Sequence, residues 1–134
     1  MSEENVEVVR GHIDAFRRGD PRGALSHFDP DVVWDPSRAG GLDVPVAYGH
    51  EEVSRMIRHY VGAFEDYDYD AERLTDLGSG VVLAHLIEEG RGKGSGVPVR
   101  RSFAALYTVI DAKIVRVTFF ASEEQALEAA GLSE

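Results

Sequence analysis

The sequence has 134 residues, 43% of them hydrophobic, and a net charge of −10, which indicates one globular domain over residues 1–134 with a real core. A surface this acidic repels phosphate backbones and anionic lipids. We therefore expect neither nucleic acid nor a membrane as a partner. The chain has no cysteine, which excludes disulfides and thiolate chemistry, and its acidic start lacks a signal-peptide pattern, so we expect a cytoplasmic protein.

Apolar residues recur at helical spacing in four segments of the chain. The first stripe runs from Val6 to Phe16, with intervals of three and four residues. Asp20-Pro21 is typical of a helix start, because aspartate caps the helix and proline suits its first turn. The patterns predict four helices, over residues 3–18, 21–28, 50–64 and 122–130.

Strand patterns fill most of the remaining chain. A short strand, residues 32–34, ends at Asp35-Pro36, and residues 36–48 are predicted to form a loop. Longer strands are predicted over residues 67–77, 81–91, 97–110 and 114–120. Helices first and an antiparallel run afterwards predict an α+β domain, in which a curved antiparallel sheet wraps around three N-terminal helices and encloses a pocket.

Several segments resemble SnoaL-like proteins of the nuclear-transport-factor-2-like superfamily. Residues 8–20 resemble their opening helix, residues 29–34 their first strand, and residues 48–51 the start of their third helix; residues 88–96 and 124–132 resemble later segments. The resemblance implies a cystatin-like cone with an interior pocket, usually a homodimer packed through the sheet. It does not fix the function, because this fold hosts isomerases, cyclases, dehydratases, epoxide hydrolases and non-catalytic binders.

Within that superfamily, the ketosteroid isomerases have the most similar motif. They place a general-base aspartate after the first strand, followed by proline, and Asp35-Pro36 matches this arrangement. Their first helix carries a tyrosine where this chain has His12, and their second oxyanion donor aligns with Ala105. The resemblance therefore implies Asp35 as the base, with both oxyanion positions changed.

Asp35 also has a physical reason to be reactive. If Trp34 and a pocket wall desolvate the carboxylate, its charged form is disfavoured and its basicity rises. A positioned base of this kind contributes ~10²–10⁴-fold to a rate. The alternative is an Asp-Pro turn residue that bonds the backbone of Ser37 or Arg38.

Two histidines are further candidates for catalysis. His12 lies at the edge of the first apolar stripe, where it faces the cavity or bonds a backbone carbonyl. His85 shares a strand face with Leu83 and Ile87, so it reaches the pocket only if that face is the inner one; scytalone-dehydratase-like proteins use an Asp–His pair in such a cone. The alternative puts His85 on the outer, dimer-facing side. No metal-binding histidine spacing is present, so we expect no metal and no cofactor.

Large apolar side chains supply the candidate pocket walls. They are Phe16, Trp34, Tyr48, Met56, Tyr60, Phe64, Phe103, Tyr107 and Phe119. Tyr48 and Tyr107 also carry hydroxyls that suit an oxyanion. Alternation along the strand sends one of Arg100 and Arg101 outward, so at most one of them faces the cavity.

The sequence thus favours a cofactor-independent isomerase, cyclase or dehydratase that acts on a small hydrophobic carbonyl compound. In this hypothesis Asp35 is the general base, and His12, His85 or a tyrosine binds the oxygen that gains charge. The alternative is a non-catalytic ligand-binding or dimeric scaffold protein of the same fold, in which Asp35 only caps a turn.

Overall fold

The computed structural model describes residues 2–39 and 45–131. Four helices and six strands follow one another in this part of the chain. They are α1 (Ser2–Arg17), α2 (Pro21–Ser26), β1 (Phe28–Arg38), β2 (Ala47–Tyr48), α3 (Gly49–Val61), β3 (Phe64–Gly78), β4 (Val81–Gly92), β5 (Pro98–Ile110), β6 (Lys113–Phe120) and α4 (Glu123–Ala129). Within the two described ranges, no helix is long and apolar enough to cross a bilayer.

All six strands belong to one sheet, in the order β2-β1-β6-β5-β4-β3. Neighbouring strands are antiparallel except β1 and β6, which run parallel. The predicted α+β class is confirmed, but the sheet is mixed rather than wholly antiparallel. The reason is that β1, besides its antiparallel pairing with β2, joins the sheet parallel to β6, the last strand of the meander.

Strand β1 departs most from its prediction. It was expected over residues 32–34 but extends from Phe28 to Arg38, because β6 pairs with it along that whole length, with register shifts on both sides of Val33–Asp35. The predicted loop therefore begins later. Its residues 40–44 lie outside the described residues, and its last two residues form β2 against β1. The other predicted element bounds differ from the observed ones by about three residues or fewer.

Alternation gives the sheet two different buried faces. On the inner face, Val82, Leu86 and Ala105 pack with Val9 and Ile13 of α1 in the main core. On the outer face, a smaller cluster joins Leu83, Ala104, Phe120 and Ala126, the last of which belongs to α4. Since α1 covers one face and α4 part of the other, both faces of β4 and β5 carry apolar side chains.

The hairpin between β5 and β6 contains two residues in the left-handed region. Asp111 and Ala112 have φ angles of 51° and 63° and connect the paired residues Ile110 and Lys113, as in a two-residue type I′ turn. An L-residue with a Cβ is strained there by about 1 kcal/mol. We expect Ala112→Gly to raise the free energy of unfolding by about 0.5 kcal/mol, after the entropy of glycine in the unfolded chain is counted. Urea unfolding measures this change.

A matched control is Ala129→Gly at the exposed end of α4. Glycine has no strain to relieve in a helix, so this variant should lose about 0.5–1 kcal/mol. If both variants lose stability equally, the turn at Ala112 is not strained.

Candidate functional site

The inner face of the sheet and the helices enclose a cavity of about 90 Å³. Its walls come from α1, β1, α3 and the four long strands β3 to β6, and they are mostly aromatic. Of the predicted wall residues, the cavity is lined by Phe16, Trp34, Tyr60, Phe103, Tyr107 and Phe119. Phe28, Tyr67 and Tyr69 also line it, although they were not predicted to do so.

Three predicted wall residues lie elsewhere among the described residues. Tyr48 is 60% exposed, because in β2 it pairs with the outward-facing Val33 while Ala47 takes the buried position. Met56 packs against the main core from α3 without lining the cavity. Phe64 contacts the lining residues Tyr60 and Tyr67 in tilted ring pairs but does not itself line the cavity.

The prediction that Asp35 faces the cavity is wrong, because the strand directs its side chain to the other face of the sheet. Trp34 and Pro36 line the cavity, so Asp35 between them points to the outer face. Its Oδ1 accepts hydrogen bonds from the backbone N and the Oγ of Ser37, at 2.9 and 2.6 Å, and its Oδ2 accepts one from Arg116 at 2.9 Å. Burial disfavours its charged form, but these bonds and the Arg116 charge outweigh burial and lower the pKa of Asp35. The contacts are those of the predicted turn alternative.

His85 also lies on the outer face, so its predicted position in the cavity is corrected as well. Its ring nitrogens are 3.6 Å from Glu72 and 3.8 Å from Glu123, and Arg73 approaches its Nδ1 at 3.4 Å. The inner face of β4 is taken by Val82, Ala84 and Leu86, which pack against α1. His85 therefore belongs to a charged cluster that lies beside the start of α4.

The ring of His12, which lines the cavity, is buried and uncharged. It is 5% exposed and stacks on Phe28, with ring centroids 4.4 Å apart. Its Nδ1 lies 2.9 Å from the carbonyl oxygen of Ala24; since a carbonyl only accepts, Nδ1 carries the proton and Nε2 carries the lone pair. Burial lowers the pKa of His12 to about 4, and the bond to Ala24 offsets this only in part.

Tyr69 and Tyr107 bring two phenol groups to the same end of the cavity as His12. The Tyr107 ring is 6.4 Å from the His12 ring, and the phenols of Tyr69 and Tyr107 are close enough to influence each other's pKa. Burial raises the pKa of both phenols well above the ordinary value, so both stay protonated. A protonated phenol is a hydrogen-bond donor. We call His12, Tyr69 and Tyr107 the inner pole.

A second polar group surrounds the buried carboxylate of Glu88, which is 1% exposed. The Tyr60 hydroxyl lies 2.8 and 2.9 Å from its two oxygens, and the Tyr67 hydroxyl donates to Oε1 at 2.6 Å. Arg101 donates its Nε–H to Oε2. We call Tyr60, Tyr67, Glu88 and Arg101 the outer pole, because the Arg101 side chain is 37% exposed whereas His12 is buried.

The outer pole keeps its phenols protonated. Burial and the Glu88 carboxylate beside it raise the pKa of Tyr60 to about 12, although the Arg101 charge opposes the rise. The same two causes raise the pKa of Tyr67 much further. Both hydroxyls are therefore donors to Glu88 across the whole neutral range, and the carboxylate is held by three side chains from three elements.

A charged network on the surface fixes α1 to β3 next to the cavity. Arg17 forms a two-point pair with Asp68, at 3.0 Å for each bond, and donates to Asp70 at 3.2 Å. Arg10 donates to Asp70 at 3.1 Å. These pairs flank the inward-facing Tyr69, which packs edge-on against Phe16 of α1 with ring centroids 4.9 Å apart. In the described ranges, no three histidine or carboxylate side chains converge as a metal site would require.

Comparison with solved structures places the chain in a fold class. A nuclear-transport-factor-2-like protein from Burkholderia thailandensis E264 shares 20% identity, with 97% of this chain and 98% of that chain covered and a TM-score of 0.78. TerC, crystallised with polyporic acid, shares 20% identity over 94% and 96% of the chains, with a TM-score of 0.76. An LEH-like epoxide hydrolase of M. tuberculosis shares 13% identity over 89% and 83%, with a TM-score of 0.70. The predicted cone fold is confirmed.

The family follows from the sequence itself. The model of the SnoaL-like domain family matches residues 9–117, which is most of the chain, so the protein belongs to that family. No curated protein matches the sequence significantly. The structural likenesses, at 20% identity or less, establish the fold but no activity.

Proposed function

We propose that this protein is a cofactor-independent enzyme of the isomerase, cyclase or dehydratase type, which acts on a small, uncharged, mostly apolar carbonyl compound. The observation that carries the proposal is the inner pole: an uncharged imidazole and a pair of phenols face one end of an aromatic cavity. The similar structures include an epoxide hydrolase and a protein crystallised with polyporic acid, so the fold accommodates small organic molecules.

The charges in the cavity favour an uncharged ligand. Among the described residues that line the cavity, Glu88 and Arg101 form an ion pair and His12 is neutral, so the formal charges cancel. A charged ligand would enter an aromatic environment with no opposite charge left for it, and burying an unpaired charge is costly. Apolar walls and a few polar groups are the usual composition of a small-molecule site.

The inner pole supports proton transfer at carbon next to a carbonyl. The lone pair on Nε2 of His12 takes the proton, the C–H electrons move into the carbonyl, and the oxygen that gains charge accepts a hydrogen bond from Tyr69 or Tyr107. A pKa of about 4 makes His12 a weak base by itself, but the negative oxygen that forms beside it stabilises the imidazolium. The imidazolium then returns the proton to another atom, which completes an isomerisation.

Deuterium exchange tests this chemistry without knowledge of the natural substrate. We expect the protein to speed the replacement of hydrogen next to the carbonyl of 4-isopropylcyclohexanone in D₂O, followed by ¹H NMR. Because His12 carries the proton, His12→Phe should slow the catalysed exchange by ~10²–10⁴-fold. Because Tyr107 stabilises the enolate, Tyr107→Phe should slow it by about 10²-fold.

Asp35→Asn is the matched control, because the Asp35 carboxylate lies on the outer face with Ser37 and Arg116. This variant should keep the exchange rate within about two-fold. Binding is followed separately through the fluorescence of Trp34, the single tryptophan of the chain, which lines the cavity. Loss of exchange in Asp35→Asn with retention in His12→Phe would overturn the proposed roles.

A non-catalytic ligand-binding protein is the second candidate function. It is favoured by the contacts of Asp35, which are those of a turn residue. If the ketone quenches Trp34 fluorescence with a measurable Kd but no catalysed exchange occurs in any enolisable ketone tested, this second function replaces the first.

A further inference from the structure

We propose that the outer pole binds a second oxygen function of the substrate through the guanidinium of Arg101. The substrate is then an uncharged molecule with two oxygen functions at opposite ends of an apolar skeleton. This inference rests on the function proposed above, because the inner pole takes the other oxygen. It adds a group that determines specificity and defines the class of substrate more closely.

Arg101 has hydrogen-bond donors to spare. It lines the cavity, whereas its neighbour Arg100 points outward and pairs with Glu89. A guanidinium has five N–H donors; the bond to Glu88 uses one, and the contact with Tyr60 uses at most one more. Among the described residues at least three of its N–H groups have no other partner. The group that carries them sits 5.2 Å from the centre of the Phe103 ring, which also lines the cavity.

Glu88 holds Arg101 in place but is largely occupied by other side chains. Three donors, from Tyr60, Tyr67 and Arg101, already bond its two oxygens. The carboxylate is also 1% exposed. Glu88 is therefore a positioning residue, and Arg101 is the member of the outer pole that meets the ligand.

The ion pair decides which kind of oxygen Arg101 accepts. Glu88 already balances the guanidinium charge, so a carboxylate ligand would leave one negative charge uncompensated in an aromatic cavity. A ketone, ester or hydroxyl oxygen takes the same hydrogen bonds without this cost. The geometry points to an uncharged acceptor rather than to an acid.

Tyr69 connects the two poles along the cavity wall. Its Cα lies opposite Glu88 in the β3–β4 ladder, while its phenol lies beside Tyr107 at the inner pole. A ligand that meets both poles therefore lies alongside this side chain. A six-membered ring with substituents at positions 1 and 4 places two oxygen functions at opposite ends, and aromatic walls pack against such a ring.

Three matched cyclohexanones test the inference through Trp34 fluorescence. 4-Isopropylcyclohexanone carries one oxygen function, methyl 4-oxocyclohexanecarboxylate carries two uncharged ones, and 4-oxocyclohexanecarboxylate adds a negative charge. For the wild-type protein we expect the keto ester to bind about ten-fold more tightly than the ketone, since it gains a hydrogen bond to a charged donor. The keto acid should bind more weakly than the keto ester.

Two substitutions separate the roles of the pair. Arg101→Met should abolish the ten-fold advantage of the keto ester and leave the ketone Kd unchanged. Glu88→Gln keeps the shape but leaves Arg101 unbalanced, so the keto acid should bind about ten-fold more tightly than it does to wild type. Arg100→Gln is the control and should change none of the three Kd values. If Arg101→Met folds too poorly to assay, Glu88→Gln/Arg101→Met replaces it, since that variant leaves no charge unpaired.

The outcomes distinguish failure of this inference from failure of the proposed function. If the ketone binds but the keto ester is no better, or keeps its advantage in Arg101→Met, the second oxygen site does not exist. An unchanged Kd for the keto acid in Glu88→Gln would equally contradict the charge argument. If none of the three compounds affects Trp34, the cavity does not bind carbonyl compounds and the proposed function itself fails.

Discussion

The variant His12→Phe should lose far less stability than the wild-type protein when the pH falls from 6.5 to 4. In the unfolded chain His12 takes up a proton near its ordinary pKa of 6.5, whereas burial holds its pKa at about 4 in the folded protein. Between these values only the unfolded state binds the proton, so acid favours unfolding. The difference between the two pKa values lowers the free energy of unfolding by about 3 kcal/mol at pH 4. This is a large part of the stability of a small domain.

Acid destabilises the folded protein through His12 and through the carboxylates alike, and the pH window of the loss distinguishes them. Asp35 and Asp68 have lowered pKa values, so their contribution is present above their ordinary value near 4 and is lost below it. The window from pH 6.5 to 4 therefore isolates the histidine. Above pH 7 the variant should be about 1 kcal/mol less stable than wild type, because it lacks the bond to the Ala24 carbonyl.

Urea unfolding at five pH values between 4 and 8 measures this prediction. His59→Gln is the control, because His59 lies exposed on α3 and its replacement should leave the pH profile of the wild type unchanged. Parallel profiles for wild type and His12→Phe would mean that His12 is as easily protonated in the folded protein as in the unfolded chain. The uncharged imidazole on which the proposed chemistry depends would then be absent.

The helices and the strands β3 to β6 could be predicted from the sequence because the patterns that indicate them are local. Apolar stripes at helical spacing and caps such as Asp20, which accepts from Gly23 N at 2.9 Å, are set by neighbours a few residues away. The length of β1 could not be predicted from local patterns. Its ends depend on pairing with β6, which is about eighty residues distant in sequence.

Sequence alternation shows which residues share a face but not which face is inside. His85 was grouped correctly with Leu83 and Ile87, but both faces of β4 are apolar because α1 covers one and α4 part of the other. Only tertiary packing decides between them. For Asp35, the strand was expected to end at that residue; because β1 continues, the carboxylate alternates with Trp34 and leaves the cavity.

Glu88 was not predicted to line the cavity, although the alternation of β4 indicates its position. A glutamate after an apolar run suggests the solvated end of a strand, since glutamate is seldom fully buried unless it is paired. Alternation from Val82 through Leu86 nevertheless puts Glu88 on the inner face. Likewise Tyr67 and Tyr69 alternate with acidic residues in β3, so the tyrosines face inward. Asp68 and Asp70 face outward, where Arg17 pairs with both.

Because Glu88 is buried, we expect Arg101→Met to lower the free energy of unfolding by about 3 kcal/mol. Removal of one partner of a buried pair leaves the other charge uncompensated, and Glu88 is 1% exposed. The value is at the lower end of the usual range because Tyr60 and Tyr67 still donate to the carboxylate and the Arg101 side chain is partly in solvent. Chemical denaturation at pH 7 measures the loss.

The double variant Glu88→Gln/Arg101→Met should be about 2 kcal/mol more stable than Arg101→Met alone, because the amide accepts from the tyrosines without a buried charge. Arg100→Met, which breaks only the exposed pair with Glu89, should change stability by less than about 0.5 kcal/mol. If the double variant is no more stable than Arg101→Met, Glu88 is not a buried uncompensated charge. A buried ion pair is no better for stability than apolar side chains of the same volume. Recovery in the double variant would therefore show that most of the loss comes from the uncompensated charge and that the pair itself adds little to folding, which favours ligand binding as the reason for a charged pair in an aromatic wall.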